Sequence, residues 1–512
     1  MTGHRTGAAR RSVGTIWALR LAGLVVAALV YALLGAAELN PDARFVAAIA
    51  SLMAVWWMTE AIPLAATSLI PIIAIPALTD RSVGETTASY ASPIVFLFLG
   101  GFLIAIAMEK WGLHRRIALF TLARVGVSPR RIVLGLMIAT GFLSMWVSNT
   151  ATTLMMLPIG FSVLALVSGQ SMSGAEADGS GSGSDDPQIA QFGTCLVLAI
   201  AWSASMGGLG TLLGSPPNAI IAGYASDELG VDIGFVDWMI LGVPLAVTFI
   251  LIGWALMTRV LYRFELSEIP GGAALIGGEI GKLGRMNRGE AMVALVFGSA
   301  AFLWIVPGLL AGVPEIEAAA PWLDELNDAA IAIAAGVALF LLPADGEGNM
   351  VLDWQDAETG LPWGVLLLFG GGLSLAGAVA GTGLDDWFGQ QVSGLATLPV
   401  VILIACVVAI VLFLTEVTSN TATAATFIPV LGGVAMGVGM DPMGLLVPAA
   451  LAATCAFMLP VGTPPNAIVF STGAVTIAQM ARGGFVLNLI GIALVTGFVY
   501  WLGGTALGLA LG

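Results

Sequence analysis

The sequence predicts an all-α polytopic membrane protein of two inverted repeats, with about eleven transmembrane helices, two re-entrant hairpins and two broken helices. Three observations predict it. The 512 residues are 58% apolar and only 10% charged, with a mean hydropathy of +0.97, whereas soluble domains carry about 25% charge. The apolar residues form unbroken runs long enough to cross a bilayer, not the alternation of a barrel strand. Two polar interruptions at membrane depth each occur twice: Ser148-Asn149-Thr150 with Ser419-Asn420-Thr421, and "GSPPNAI" at Gly214 with "GTPPNAI" at Gly462.

The N-terminus has a basic flank followed by an apolar run. That run is too long for a signal-peptide core, so it reads as a first span near 15–37. Further runs place helices near 44–58, 60–78 and 91–112. The basic stretch "HRRIALFTLARVGVSPRR" leads into two short arms, 132–147 and 151–167, which flank the first triplet as a hairpin. After a Gly/Ser/Asp linker (168–187), read as an inert flexible insertion, comes an apolar segment, 189–226, broken by "GTLLGSPPNA". Helices near 236–262, 290–311, 327–343 and 363–383 precede the second hairpin, 399–437. A segment broken by "PVGTPPNA" (445–480) and a last helix, 485–511, complete the chain.

Charge supports this layout. With the N-terminus inside and each hairpin making no net crossing, Arg44 and Arg81 fall outside, and the other sixteen of the eighteen Lys and Arg fall inside. That is the positive-inside bias. The acidic loop 312–326 and the C-terminus then lie outside.

The repeat extends beyond the triplets. They are 271 residues apart, and the same shift carries Phe98, Gly101, Gly112 and Leu113 onto Phe369, Gly372, Gly383 and Leu384. The Pro-Pro breaks are 248 apart, a shortfall close to the length of the linker that only the first half has. Five spans separate 91–112 from its mate at 363–383, so the halves are inverted. Inverted repeats with matched interruptions mark the central site of a secondary transporter.

The interruptions carry the chemistry. Pro216-Pro217 and Pro464-Pro465 remove backbone donors, leaving carbonyls upstream without partners. Gly214 and Gly462 permit the unwound turn. Freed carbonyls and hydroxyls suit a small hard cation, and half-helix N-termini suit an anion. No Lys, Arg or His lies in the four segments, and an anion held there by amides alone is costly. A co-bound Na⁺ at two related sites resolves that. Glu416 fits either an ion- or proton-linked group or a helix-end carboxylate.

Together with "WWMTEAIPLAATSLIP" at Trp56, the paired motifs resemble the divalent anion/sodium symporter family over essentially the whole chain. The resemblance implies import of a C4-dicarboxylate, citrate or sulfate by a homodimer in the inner (plasma) membrane. It further implies an elevator, in which a transport domain slides against a scaffold. Residues 1–130 and 289–398 would be scaffold, and 131–262 and 399–512 would carry transport elements. One sodium site would use Ser144, Ser148, Asn149 and Gly214, and the other Thr415, Thr418, Asn420 and Gly462. The substrate would meet Ser148, Asn149, Thr150 and Ser215 on one side, and Ser419, Asn420, Thr421, Thr463 and Pro464 on the other. Ser215 replaces a Thr common in that family but keeps the hydroxyl. Exchangers in the family tend to place basic side chains where sodium would sit, and this sequence has none there.

Other classes fit poorly. With only His4 and His114, both outside the predicted spans, no HExxH site is available, and no G-x-S-x-G elbow occurs, so the chain does not read as an enzyme. A net charge of −14 argues against nucleic acid. The three cysteines, Cys195, Cys406 and Cys455, sit in apolar runs and read as buried thiols. The favoured reading is a sodium-coupled dicarboxylate symporter; a sodium-independent exchanger and a sulfate or citrate symporter stay open.

Overall fold

The computed structural model describes residues 12–37, 39–126, 128–168, 187–266, 272–311 and 326–510. Most of the linker and all but the last residue of the acidic loop 312–326 lie outside these. Among the described residues the regular secondary structure is helical, apart from an isolated bridge between Pro343 and Met350. By length and composition, eight of these helices can cross a membrane, and four shorter ones are apolar.

The first half comprises α1 (Val13–Leu33), α2 (Pro41–Thr59), α3 (Ile70–Leu78), α4 (Pro93–Lys110), α5 (Leu113–Val125), α6 (Pro129–Ser144), α7 (Asn149–Val167), α8 (Pro187–Gly207), α9 (Pro216–Leu229) and α10 (Phe235–Leu256). A connecting helix, α11 (Gly272–Leu283), leads to α12 (Arg288–Ala311), α13 (Asp328–Leu341), α14 (Trp363–Gly381) and α15 (Leu384–Val392). Then follow α16 (Val400–Thr415), α17 (Asn420–Gly437), α18 (Met443–Thr454), α19 (Pro464–Ser471) and α20 (Ile477–Leu507). The 271-residue shift carries both ends of α6 onto the ends of α16, and the starts of α5 and α7 onto those of α15 and α17. A shift of 248 carries the start of α9 onto that of α19. Even the prolines inside the hairpin arms, Pro158 and Pro429, correspond.

Four elements differ from expectation. The single helix expected over 60–78 is divided. Glu60 ends α2 in the left-handed region at φ 49°, a short helix spans Leu64–Thr67, and α3 starts anew with Pro71 in its first turn. Pro63 and Pro71 have no N–H for a continuous helix, so the apolar run breaks despite its composition. The basic stretch after α4 is itself a helix, α5, and its mate α15 was missed with it. The connecting α11 was also unforeseen. It docks on α5, where Glu279 pairs with Lys282 at 2.5 Å and Arg115 at 2.7 Å. These bonds hold the Glu279 carboxyl below its ordinary range. Beside them the half-buried Arg116 pairs with the buried Glu290.

The halves interlock. Each hairpin's first arm packs on the helix preceding its own break, α6 on α8 and α16 on α18. The helix following each break crosses to the other half's hairpin, α9 onto α17 and α19 onto α7. This exchange brings the four interruptions into one region. Of the cysteines, Cys195 and Cys455 are buried as expected, but Cys406 is exposed. It lies on an outer face of α16 with exposed Val401, Ile402, Ile410 and Phe413. An apolar run directs a face outward in a membrane protein as readily as inward, which composition cannot distinguish.

Candidate functional site

In the first half the chain turns from α6 to α7 in four residues, Met145–Ser148. Ser148 caps α7, its hydroxyl accepting from Ala151 N at 3.2 Å. Asn149, the first residue of α7, points its amide at the break between α8 and α9. Three oxygens surround one end of that amide: Ser144 Oγ, Ala204 O at 3.1 Å and Gly214 O at 3.2 Å. The second half repeats this arrangement. Around the Asn420 amide lie Thr415 Oγ1 at 2.8 Å, Ala453 O at 3.1 Å and Gly462 O at 3.2 Å.

An amide turned with Nδ2 inward has two hydrogens to donate to the two carbonyls, with the hydroxyl beside them. Turned with Oδ1 inward, it accepts from the Ser144 or Thr415 hydroxyl and completes a cluster of four oxygens that holds a single hydroxyl hydrogen, an acceptor-rich arrangement suited to a cation. Hydroxyl, amide and carbonyl oxygens are the donor set of a hard cation, so each cluster fits a small ion such as Na⁺. Among the described residues no group of His, Cys, Asp and Glu could hold a metal ion.

The breaks are braced from within. Asn218 Nδ2 donates to Gly208 O at 2.9 Å and Thr211 O at 2.8 Å. Its mate Asn466 donates to Ala456 O and Leu459 O, both at 3.1 Å. Thr211 also donates to Met145 O and accepts from Gly214 N at 3.1 Å, tying the first hairpin tip to the first break. Gly214 is required by this closeness: a Cβ there would lie 2.6 Å from Gly208 O, a backbone atom that cannot yield. Ser215 Oγ and Thr454 Oγ1, 2.9 Å apart, join the two breaks directly.

Of the residues expected at the site, Ser144, Asn149 and Gly214 come together, as do Thr415, Asn420 and Gly462. The Thr418 hydroxyl is directed elsewhere, donating to Leu414 O at 2.9 Å and lying 2.6 Å from Thr423 Oγ1. Ser148, Thr150, Ser419 and Thr421 stand at the hairpin tips, where α7 and α17 begin. Ser148 is exposed and the other three half-buried, so these hydroxyls are accessible. Ser215 and Thr463 are buried at the N-caps of α9 and α19, with Pro464 exposed beside Thr463. Four helix N-termini thus meet here, and their partial positive charges favour an anion.

Sequence reasoning missed the carbonyls of Ala204 and Ala453, since alanine side chains carry no signal for a backbone role. It also passed over Asn218 and Asn466, which the repeated Pro-Pro-Asn motif could have flagged.

Two solved structures share the fold. The YdaH transporter of Alcanivorax borkumensis has a TM-score of 0.56 at 13% identity, covering 96% of this chain and 98% of its own. MtrF of Neisseria gonorrhoeae has a TM-score of 0.54 at 12% identity, covering 91% and 97%. At such identities they speak to the fold alone. Closer in sequence is the sodium-dependent dicarboxylate transporter SdcS of Staphylococcus saprophyticus, 43% identical over 477 residues, 92% of this chain and 88% of the relative. SdcS of Staphylococcus aureus is 41% identical over 467 residues, 91% and 87% respectively. The family described as the sodium:sulfate symporter transmembrane region matches residues 14–507. The resemblance carried by the paired motifs is therefore borne out, and the chain belongs to this symporter family, as a transporter and not an enzyme.

Proposed function

We propose that the protein couples Na⁺ to the uptake of a small divalent anion, most specifically a C4-dicarboxylate such as succinate, malate or fumarate. The observation that carries this reading is the matched pair of oxygen clusters, Ser144, Asn149, Ala204 and Gly214 in one half and Thr415, Asn420, Ala453 and Gly462 in the other. Each is a seat for one cation. Between them the N-termini of α7, α9, α17 and α19 offer amide hydrogens and the hydroxyls of the two triplets. A dicarboxylate has two separated carboxylates to offer two related tips. With no basic side chain in the four segments, the co-bound cations supply the positive charge that a dianion needs in a poorly solvated site. The dicarboxylate named for the SdcS relatives supports this choice over sulfate or citrate.

Transport follows an elevator. The hairpins and broken helices, within 131–262 and 399–512, move as one body carrying the site past a scaffold drawn from 1–130 and 289–398. The close bracing of each hairpin tip to its break supports motion as a unit. The protein works as a homodimer in the plasma membrane, its halves inverted, with eleven spans, the N-terminus cytoplasmic and the C-terminus outside. The basic flanks at the inner ends of the spans support that orientation.

Succinate uptake into proteoliposomes tests the reading, comparing an inward Na⁺ gradient with K⁺ and with internally loaded succinate. Uptake that needs Na⁺ and carries current is expected. Uptake that needs only internal succinate would make the protein an exchanger and remove the cation from both clusters.

A further inference from the structure

The two half-sites differ in one buried charge. Glu416 follows Thr415 at the end of α16 and is 3% exposed. Its Oε1 accepts from Phe457 N at 2.7 Å, Met458 N at 3.0 Å and Asn488 Nδ2 at 2.7 Å. Its Oε2 accepts from Met458 N at 3.0 Å and Leu459 N at 3.1 Å. Both oxygens thus face N–H donors only, the environment of a carboxylate. Three of those donors are consecutive backbone amides of the second break. The fourth comes from α20.

The corresponding residue in the first half is Met145, which accepts only through its backbone. The consequence appears in the backbone of the two breaks. In the first, Gly208 N donates back to Ala204 O at 3.0 Å, Leu209 N to Met206 O at 3.3 Å and Gly210 N to Gly207 O at 2.9 Å. The helix end closes on itself, and α8 runs to Gly207. In the second, Glu416 draws Phe457, Met458 and Leu459 out of that pattern, and α18 stops at Thr454. The Ala453 carbonyl is therefore free of any backbone donor; its partners are Thr415 Oγ1 at 3.0 Å and the Asn420 amide. Ala204 O, which faces Asn149 as Ala453 O faces Asn420 although it lies one position out of the 248-residue register, already carries the Gly208 amide.

We infer that Glu416 is a positioning residue that keeps the second half-site permanently open to a cation, so that the two Na⁺ sites are unequal and the second binds more tightly. This rests on the reading of the oxygen clusters as Na⁺ sites. The Thr415 hydroxyl can swing its hydrogen away and leave the Ala453 carbonyl to an ion, whereas the Gly208 N–H on Ala204 O is held there by the backbone. The carboxylate also brings a negative charge beside the cluster, with Oε2 3.3 Å from where a Cβ on Gly462 would stand. In a poorly solvated setting that attraction is stronger than in water.

The test is Na⁺ titration of the purified protein by thermal stabilisation, paired with Na⁺ activation of succinate uptake in proteoliposomes. Wild type is expected to show two Na⁺ phases. Glu416→Ala should raise the half-saturating concentration of the tighter phase by about tenfold or more, leaving the weaker phase in place. Asn488→Ala, which removes one donor but keeps the carboxylate on the amides, should raise it about two- to threefold. A Glu416→Ala protein with a lower maximal rate but Na⁺ dependence within about twofold of wild type would make the residue merely structural and overturn the inference. If Glu416→Ala yields no folded protein, Asn488→Ala decides: the same small rise supports the inference, and an unchanged titration overturns it. Wild type that shows no Na⁺ response in either assay defeats the parent reading; an Na⁺ response that is the same in wild type and variants defeats only this one.

Discussion

The two half-sites are nearly the same in sequence but not in surroundings. The first is roofed on its Trp146 side, although Ser148 at the tip is exposed. Trp146, next to the first hairpin tip, stacks on Phe235 with ring centroids 5.8 Å apart and on Trp304 at 6.4 Å, and Phe297 meets its edge at 5.2 Å. Phe235 and Trp304 themselves stack at 4.9 Å, and Asp328 of α13 accepts from Phe235 N at 2.9 Å. Leu209 to Ser215 are all buried. Among the described residues the second half-site has no such aromatic cover. Val417, the counterpart of Trp146, is 56% exposed, and Val461, the counterpart of Leu213, is 76% exposed against 8% for Leu213. The lesson is that access to a site of this kind is set by what packs over it. Here α12 supplies two of the rings that close one copy, while among the described residues no comparable ring cluster reaches the other.

The comparison can be broken most completely at the shared asparagines. Asn149→Ala and Asn420→Ala should each lower succinate uptake in proteoliposomes about a hundredfold or more, since each removes the group that joins a hairpin tip to a break and leaves buried oxygens unpaired. Both proteins should still fold; retained uptake in both would defeat the site assignment. Glycine separates the halves next. Gly214→Ala forces a Cβ to 2.6 Å from a backbone oxygen, whereas in Gly462→Ala the nearest atoms are 3.1 Å away. Uptake should fall more than about tenfold in the first and about two- to fivefold in the second, and equal losses would mean that the breaks are equally tight.

The difference in cover is sharpened by cysteine labelling. In a Cys406→Ser background, Val461→Cys should react with a membrane-impermeant maleimide about tenfold faster than Leu213→Cys. Equal rates in detergent would show that the aromatic roof opens as readily as the uncovered side. The smallest effect is expected at the linker. Replacing 171–185 with a short Gly/Ser loop should leave uptake within about twofold of wild type, because an insertion present in one half only has no counterpart to act with. A large loss would give that segment a function.

Much of this was legible in the residues. The runs that became α4, α10, α12 and α14 are long and apolar, and nothing in their composition permits another structure at membrane depth. The hairpins could be read because a polar triplet between two short apolar arms has few alternatives, and the breaks because Pro-Pro cannot sit inside a helix. The division of 60–78 was also readable from Pro63 and Pro71, had they been weighed above hydropathy. By contrast, α5, α11 and α15 depend on contacts with other segments, and short amphipathic stretches do not declare themselves by apolar length.

What the sequence by itself determined is therefore the set of parts: which segments are long and apolar enough to cross, where they break, and that the hairpins, the breaks and the helices beside them have mates 271 or 248 residues away. These are local properties, decided by apolar length, proline and glycine. The tertiary structure alone decided which oxygens face each asparagine, since Ala204 O and Ala453 O belong to residues whose side chains say nothing. It alone resolved Glu416, which faces amides some forty residues further along the chain. And it alone covered one half-site and left the other open, because burial depends on which distant rings arrive, as Trp304 and Phe297 do over Trp146. The halves share their triplets and Pro-Pro-Asn breaks but not the residues beside them, and Trp146 against Val417 and Glu416 against Met145 mark where the two surroundings part.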